Sequence, residues 1–201
     1  TGLSNPMGLA FDAAGNLYVA NYGNSTVSKV TAGGVVSTFA SGGLSLPYAT
    51  AFDSAGNLYV SNLGSQSVSQ VTPGGAVSTF ATGLNGPFGL AIDSAGNLYV
   101  PNLYDGMVYK VTAAGVVSTF ISGFSNPAGL AFDAAGNLYV ADVGNGTVGK
   151  ITLVVTPAIS GVTGPAAGSF KAGSSLSFTA TFSSAVVVAG AVTLMRGVAG
   201  A

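Results

Sequence analysis

Apolar residues in this chain come in short runs, cut every few positions by clusters of Gly, Asn, Asp and Ser. The run Met7–Asp12 ends in Asp12-Ala-Ala-Gly15-Asn16, a tight turn in which Asp bonds backbone amides and Gly takes positive φ. Leu17–Asn21 follows, rich in strand formers. Gly23–Ser25 turns again into Thr26–Thr31, whose apolar anchors are Val27 and Val30. Ala32-Gly33-Gly34 then reads as a hairpin turn leading into Val35–Phe39. The pattern predicts four short antiparallel strands, no helix, and a unit running from Asn5 to Ala40.

That unit recurs. Ala-Gly-Asn-Leu-Tyr-Val begins at Ala14, Ala55, Ala95 and Ala135, each time two residues after an Asp (Asp12, Asp53, Asp93, Asp133), at spacings of 41, 40 and 40 residues. Four strands in about 40 residues is the size of a propeller blade. Such a unit cannot cover both its faces alone and must stack on copies of itself. Gly-Leu-Ala-Phe and Leu-Tyr-Val are continuous apolar runs, as expected of sheets packed on both sides.

The stretch Pro127–Val148, Pro-x-Gly-Leu-Ala-Phe-Asp-x-x-Gly-Asn-Leu-Tyr-Val-Ala-Asp-x-Gly-Asn-x-x-Val, resembles the NHL repeat. The resemblance extends over residues 1–152 and implies a β-propeller whose first strands line a central channel. Asn21, Asn62 and Asn102 stand where the family prefers Asp; only Asp142 matches. The basic residue that usually follows Gly-Asn is also missing.

The fold class is therefore all-β: a propeller of four-stranded antiparallel blades over residues 1–152, followed by a β-rich segment over 153–201. Three repeats carry all four strands; the fourth stops at Thr152 with no copy of Val-Ser-Thr-Phe. Thr1-Gly2-Leu3 matches Thr82-Gly83-Leu84, which follows a fourth strand. Fifteen propeller strands are present and a sixteenth is missing. Either further sequence once preceded Thr1, or the gap is filled by the tail or a neighbouring subunit through strand addition.

In the tail, Leu153–Pro157 reads as a strand into a linker, Ser160–Gly168 as a loop, and Ser175–Phe182 and Ala185–Leu194 as strands. Gly168-Ser169-Phe170, Ala172-Gly173 and the run Leu176–Phe182 resemble the opening of a bacterial Ig-like module. About half such a sandwich is present, so Leu176, Phe178, Val186, Val187 and Val188 are the expected assembly surface.

Composition then narrows the chemistry. Charged residues are 5% of the 201 and the net charge is −1, so no basic face exists to neutralise nucleic-acid phosphates. No apolar run reaches the length of a membrane-spanning helix. His, Cys, Trp and Glu are absent. Without imidazole, thiolate or Glu, the expectation is a protein that is not an enzyme, with no catalytic or metal-binding residues and no cofactor.

The turn Asp residues read as structural, with a cation-binding ring as the alternative. Asn21, Asn62, Asn102 and Asp142 end the second strands on the opposite rim; they either hold loop amides or line a polar pocket with Tyr22, Tyr104 and Asp105. Tyr18, Tyr59, Tyr99 and Tyr139 recur as packing between blades. Where the repeats differ, at Tyr48, Phe88 and Tyr104-Asp105, exposed aromatics beside Asn and Asp would suit contact with a sugar or peptide; drift between blades explains them as well. The expected role is structural or adhesive, at a bacterial cell surface or outside the cell. Its partners would be other copies of the chain, self-assembling into filaments, or another surface protein. A propeller module that binds a glycan or peptide is the alternative; a degenerate lyase or hydrolase is the third reading.

Overall fold

The computed structural model describes residues 2–152, 159–163 and 179–182. They form two compact units, Thr1–Leu153 and Val154–Ala201. The first contains four antiparallel sheets arranged about an axis in the manner of a β-propeller, with no helix among the described residues.

Blade 1 is β1 (Pro6–Phe11), β2 (Leu17–Asn21), β3 (Thr26–Val30) and β4 (Val36–Ser41). Blade 2 is β5 (Pro47–Phe52), β6 (Leu58–Asn62), β7 (Ser67–Val71) and β8 (Val77–Ala81). Blade 3 is β9 (Ala91–Ile92), β10 (Leu98–Asn102), β11 (Met107–Val111) and β12 (Val117–Ser122). Blade 4 has three strands, β13 (Pro127–Phe132), β14 (Leu138–Asp142) and β15 (Thr147–Ile151). Strands pair in sequence order within every blade. The fifteen expected propeller strands are all present, the fourth starting one residue later than expected and running on to Ser41.

The Asp-x-x-Gly-Asn turns fold as their chemistry dictates. Asp12 Oδ1 accepts from the amides of Ala14 and Asn16, and Oδ2 from Asn16 Nδ2 and the Tyr18 hydroxyl. Asp53, Asp93 and Asp133 repeat the pattern. Gly15 takes φ +79°, a conformation in which an L side chain is strained. At the axis the inner strands crowd together: a Cβ on Gly8 would lie 2.6 Å from Ala49 Cα.

Three apolar cores fill the junctions between successive blades, and their composition repeats. Tyr18, Val27 and Ala40 of blade 1 meet Phe52, Leu58, Val60 and Val71 of blade 2. Tyr59, Val68 and Ala81 meet Ile92, Leu98, Val100 and Val111. Tyr99 and Val108 meet Phe132, Leu138, Val140 and Ile151. Each tyrosine is clasped edge-on: Tyr18 by Phe39 and Phe52, Tyr99 by Phe120 and Phe132, and Tyr59 by Phe80, with Ile92 in the second place. Lys29, Lys110 and Lys150 lie over Tyr18, Tyr99 and Tyr139 at 5.4–5.5 Å. The cross-strand register sets this, since Tyr18 pairs with Lys29 and Tyr99 with Lys110.

In the second unit, β16 (Ile159–Thr163) pairs antiparallel with β17 (Thr179–Phe182). Ile159–Thr163 is thus a strand where a loop was expected from Ser160. Thr179–Phe182 falls in the expected Ser175–Phe182 strand. Leu176, Phe178, Val186, Val187 and Val188, with Leu153–Pro157 and Ala185–Leu194, lie outside the described residues, and the Ig-like resemblance rests on the sequence.

Candidate functional site

The rim opposite the Asp-locked turns carries the ends of the second strands and the loops that link one blade to the next. In blades 1 and 2 the terminal Asn holds that loop: Ser4 N donates to Asn21 Oδ1 and Ser45 N to Asn62 Oδ1, both at 3.1 Å. In blade 4 Asp142 does the same with more donors, accepting from the amides of Ser125 and Asn126 and from Asn145 Nδ2. Bonds from the Asn126 and Ser125 amides outweigh burial and hold the Asp142 carboxyl below its ordinary range. These three side chains are buried and engaged in holding the loops.

Blade 3 departs from this pattern, and it is also the blade in which Tyr104 stands. Its counterparts are Gly23, Gly64 and Gly144, each lying under the linking loop with no room for a side chain. A Cβ on Gly23 would lie 2.7 Å from Ser4 Oγ, and one on Gly64 2.5 Å from Ser45 Oγ. Tyr104 keeps the same backbone bonds to its loop, Tyr104 N donating to Asn85 O and Leu103 N to Gly86 O as Gly23 N and Tyr22 N donate to Ser4 O and Asn5 O. Gly86, at φ +75°, stands where Asn5 and Leu46 also take positive φ, and its lack of a side chain makes the room: the Tyr104 ring lies 2.6 Å from where a Cβ on Gly86 would sit. The inner strand shortens to Ala91–Ile92, leaving Pro87 and Asn102 in an isolated bridge. Asn102, fully buried, is left with Oδ1 unpartnered, while its Nδ2 donates weakly to Asp105 Oδ2 at 3.5 Å. Asp105 also accepts from Met107 N and the Tyr109 hydroxyl.

The inner strands bring two other irregular residues together. Tyr48 and Phe88 stack with ring centroids 3.6 Å apart and planes tilted by 32°. They are half-buried against each other rather than two separate exposed rings. Ser61 ties their backbones, donating to Phe88 O at 2.8 Å and accepting from Ala49 N at 2.9 Å. Two residues beyond Tyr48, Thr50 Oγ1 is buried and unpartnered, at a position where the other repeats have Leu9, Leu90 and Leu130. Thr50 and Asn102 carry the two buried side-chain polar atoms without a partner among the described residues, Thr50 two residues after Tyr48 and Asn102 bridged to Pro87, the residue before Phe88. A buried polar atom left unpaired is uncommon in a native fold and costs stability.

Of the remaining candidates, Tyr104 is 59% exposed on the rim, beside Asp105. Tyr22 occupies the corresponding turn of blade 1 and is half-buried. Thr50 was not anticipated; its signal was a hydroxyl at a repeat position otherwise held by Leu. The lysines over the tyrosines were also missed, although Tyr and Lys recur at a fixed separation in three repeats. Among the described residues no group of three or more His, Cys, Asp or Glu comes together. The turn carboxylates are each saturated by their own turn.

Comparison with known proteins bears on the chemistry. No curated protein matches the chain at a significant level. Solved structures do. A catalytically inactive virginiamycin B lyase from Staphylococcus aureus bound to quinupristin is 18% identical with a TM-score of 0.68, covering 74% of this chain and 53% of that one. A protein provisionally assigned as a gluconolactonase is 20% identical with a TM-score of 0.67, covering 77% of this chain and 61% of that one. The nidogen/laminin complex gives 21% and 0.61, covering 76% of this chain and 66% of that one. The chain thus spans about half the length of the lyase. The expectation of a protein that is not an enzyme is overturned: solved structures that share this arrangement of blades include enzyme propellers. At these identities the likeness is one of fold, and the repeat itself is identified by residues 124–151, which match the NHL repeat.

Proposed function

We propose that the rim of blades 2 and 3 binds a neutral, hydroxyl-rich ligand, a glycan. The observation that carries this reading is the Tyr48–Phe88 stack, two half-buried rings in contact on neighbouring blades. Apolar rings beside a few fixed polar groups are the usual make-up of a small-ligand site. Tyr104 supplies an exposed ring on the same rim, and Asp105 an acceptor for a hydroxyl. The low charge of the chain suits an uncharged partner. An adhesive role at a cell surface follows from the same reading, with the glycan as the point of contact. Glycan-array binding by the chain, lost in Tyr48→Ala and in Tyr104→Ala and kept in Tyr22→Ala, is the expected result. An array without hits, or hits insensitive to both changes, would refute it.

A second reading, a lyase or lactone-hydrolysing site, is favoured by the likeness to the two enzyme propellers. In this chain Asp105 would be its carboxylate, the one that belongs neither to an Asp-x-x-Gly-Asn turn nor to the anchoring of a linking loop, although it too accepts one amide, from Met107. Turnover of lactones or of a cyclic depsipeptide, lost in Asp105→Asn, is the measurement that would favour it over simple binding.

A further inference from the structure

Asn-Gly occurs twice in the chain, at Asn85-Gly86 and Asn145-Gly146. In this dipeptide the amide nitrogen after the asparagine reaches its side chain most easily, because glycine has no Cβ in the way. The first copy lies in the loop that links blade 2 to blade 3. The same place in the other loops holds Ser4-Asn5, Ser45-Leu46 and Ser125-Asn126. Asn5 and Asn126 are each followed by Pro, which has no N–H to give up. In blade 3 the glycine goes with Tyr104, whose ring lies 2.6 Å from where a Cβ on Gly86 would sit. The residue that makes room for the ring thus also completes the reactive pair.

The two copies are held differently. Asn145 Nδ2 donates to Asp142 Oδ2 at 2.7 Å, and Gly146 N donates to Val143 O. Neither the Asn85 side chain nor Gly86 N has a hydrogen-bond partner among the described residues. At the place of Gly86 in other loops, Leu46 N donates to Ser25 Oγ and Asn126 N to Asp142 Oδ1. Asn85 is exposed, so water reaches its side-chain amide. Gly86 is covered in part by the Tyr104 ring, which is itself 59% exposed and changes rotamer quickly. The backbone carbonyls of the pair are tied, Asn85 O to Tyr104 N at 3.3 Å and Gly86 O to Leu103 N at 2.9 Å.

The geometry points to Asn85 as a modification site, where the folded chain deamidates spontaneously beside Tyr104. Gly86 N gives its proton to water or hydroxide and attacks Asn85 Cγ. The Cγ–Nδ2 bond breaks, Nδ2 takes up protons and leaves as ammonia, and a cyclic imide remains. One water then opens the imide. Opening at the side-chain carbonyl leaves an aspartyl residue; opening at the backbone carbonyl leaves an isoaspartyl residue, with an extra methylene in the main chain. The isoaspartyl form shifts the carbonyl to which Tyr104 N donates and the chain leading into Phe88, so the rim of blades 2 and 3 loosens with age. The loss of glycan binding that this implies rests on the proposed function; the chemistry at Asn85 does not.

The test is peptide mapping by mass spectrometry of the 201-residue chain, kept for weeks at mildly alkaline pH and body temperature, with isoaspartate scored by methyltransferase labelling. In the folded chain, conversion at Asn85 should outrun that at Asn145 by more than about fivefold, since Asn145 must first leave Asp142. In urea, where both pairs are released, the two rates should converge. Asn85→Ser, which installs the residue of the other three loops, should remove the converted peptide and keep the parent circular dichroism spectrum. An intact Asn85 in the folded chain overturns the proposal, as does an Asn145 that converts as fast, and so does a ratio that urea leaves unchanged. On a glycan array, binding by fresh protein that is lost on full conversion supports the loosened rim, and converted protein that binds like fresh overturns it. Fresh protein that binds nothing counts against the proposed function, and the ratio at the two asparagines still decides the chemistry.

Discussion

The clasped tyrosines allow a sharp test of what holds one blade to the next. Tyr99 is 1% exposed, with Phe120 and Phe132 edge-on at 4.9 and 5.2 Å, Lys110 Nζ 5.5 Å from its ring centre, and its hydroxyl donating to Asp93 Oδ2 at 3.2 Å. Tyr99→Phe removes the hydroxyl bond alone. With a charged acceptor that still holds Asn97, the cost should be about 1–2 kcal/mol. Tyr99→Leu keeps much of the apolar burial but also loses two aromatic pairs, at about 0.5–1.5 kcal/mol each. It further loses the lysine contact, at about 0.5–1 kcal/mol. The Leu variant should therefore be destabilised by about 3–5 kcal/mol, and Tyr59→Leu, with one aromatic neighbour, by about 1 kcal/mol less. Urea unfolding followed by circular dichroism measures all three. If Tyr99→Phe costs as much as Tyr99→Leu, the junction depends on the hydroxyl and the aromatic clasp contributes little.

Other consequences can be measured on the same chain. Thr50→Val removes a buried hydroxyl without a partner and should raise stability by about 1 kcal/mol in thermal unfolding; a loss of stability would mean the hydroxyl is satisfied. Gly106→Ala places a Cβ against the Phe124 carbonyl at φ +68°, whereas Gly15→Ala meets nothing within 4 Å at φ +79°. The first should lower the urea midpoint clearly more than the second, which carries only the backbone strain of about 1 kcal/mol. Hydrogen bonds from their own turns hold Asp12 and Asp133 below the ordinary 3.8, and in Asp53 and Asp93 they outweigh opposing burial. Their contribution is complete above that value and is lost as pH falls through the lower folded-state values, so acid unfolding should set in below about pH 4. Burial and the nearby Asp93 push the Tyr99 hydroxyl up to about 12. That contribution is complete below about pH 10 and is lost as pH rises toward 12, giving an alkaline limb in a stability-against-pH profile.

Most of the fold was legible because its determinants are local and repeated. Asp12, Gly15 and Asn16 specify a turn within five residues, and four copies at one period specify the stacking. The site was legible only as departures from the repeat. Tyr104 stood out in place of Gly, but that its ring takes the space a side chain on Gly86 would need, and that Asn102 Oδ1 in the same blade is unpaired, depends on the packing of the folded chain. Likewise Tyr48 and Phe88 lie forty residues apart, and their stacking follows from inner strands that converge on an axis. That the fourth repeat carries no copy of Val-Ser-Thr-Phe was visible in the sequence; the exposure of Phe11 and Val148 was not, since Val148 is in register with buried Val27, Val68 and Val108, and Phe11 with partly buried Phe52, Ile92 and Phe132. The reading of catalysis from residue types failed because a fold shared with enzymes is not a matter of composition.

The Asp-centred locks bear on how the chain reaches its fold. Every bond from Asp12 to its turn spans six residues of sequence or fewer, and the other three turns match it. Closing so short a loop is fast and does not wait on distant contacts. Each inner hairpin can thus nucleate as it leaves the ribosome and present a finished edge to the next. Because the four nuclei are nearly identical, the same property invites mispairing between non-adjacent repeats, the characteristic error of tandem arrays. Differences such as Thr50, Ile92 and Tyr104 then also serve as labels, making one blade distinguishable from another while the chain is still assembling.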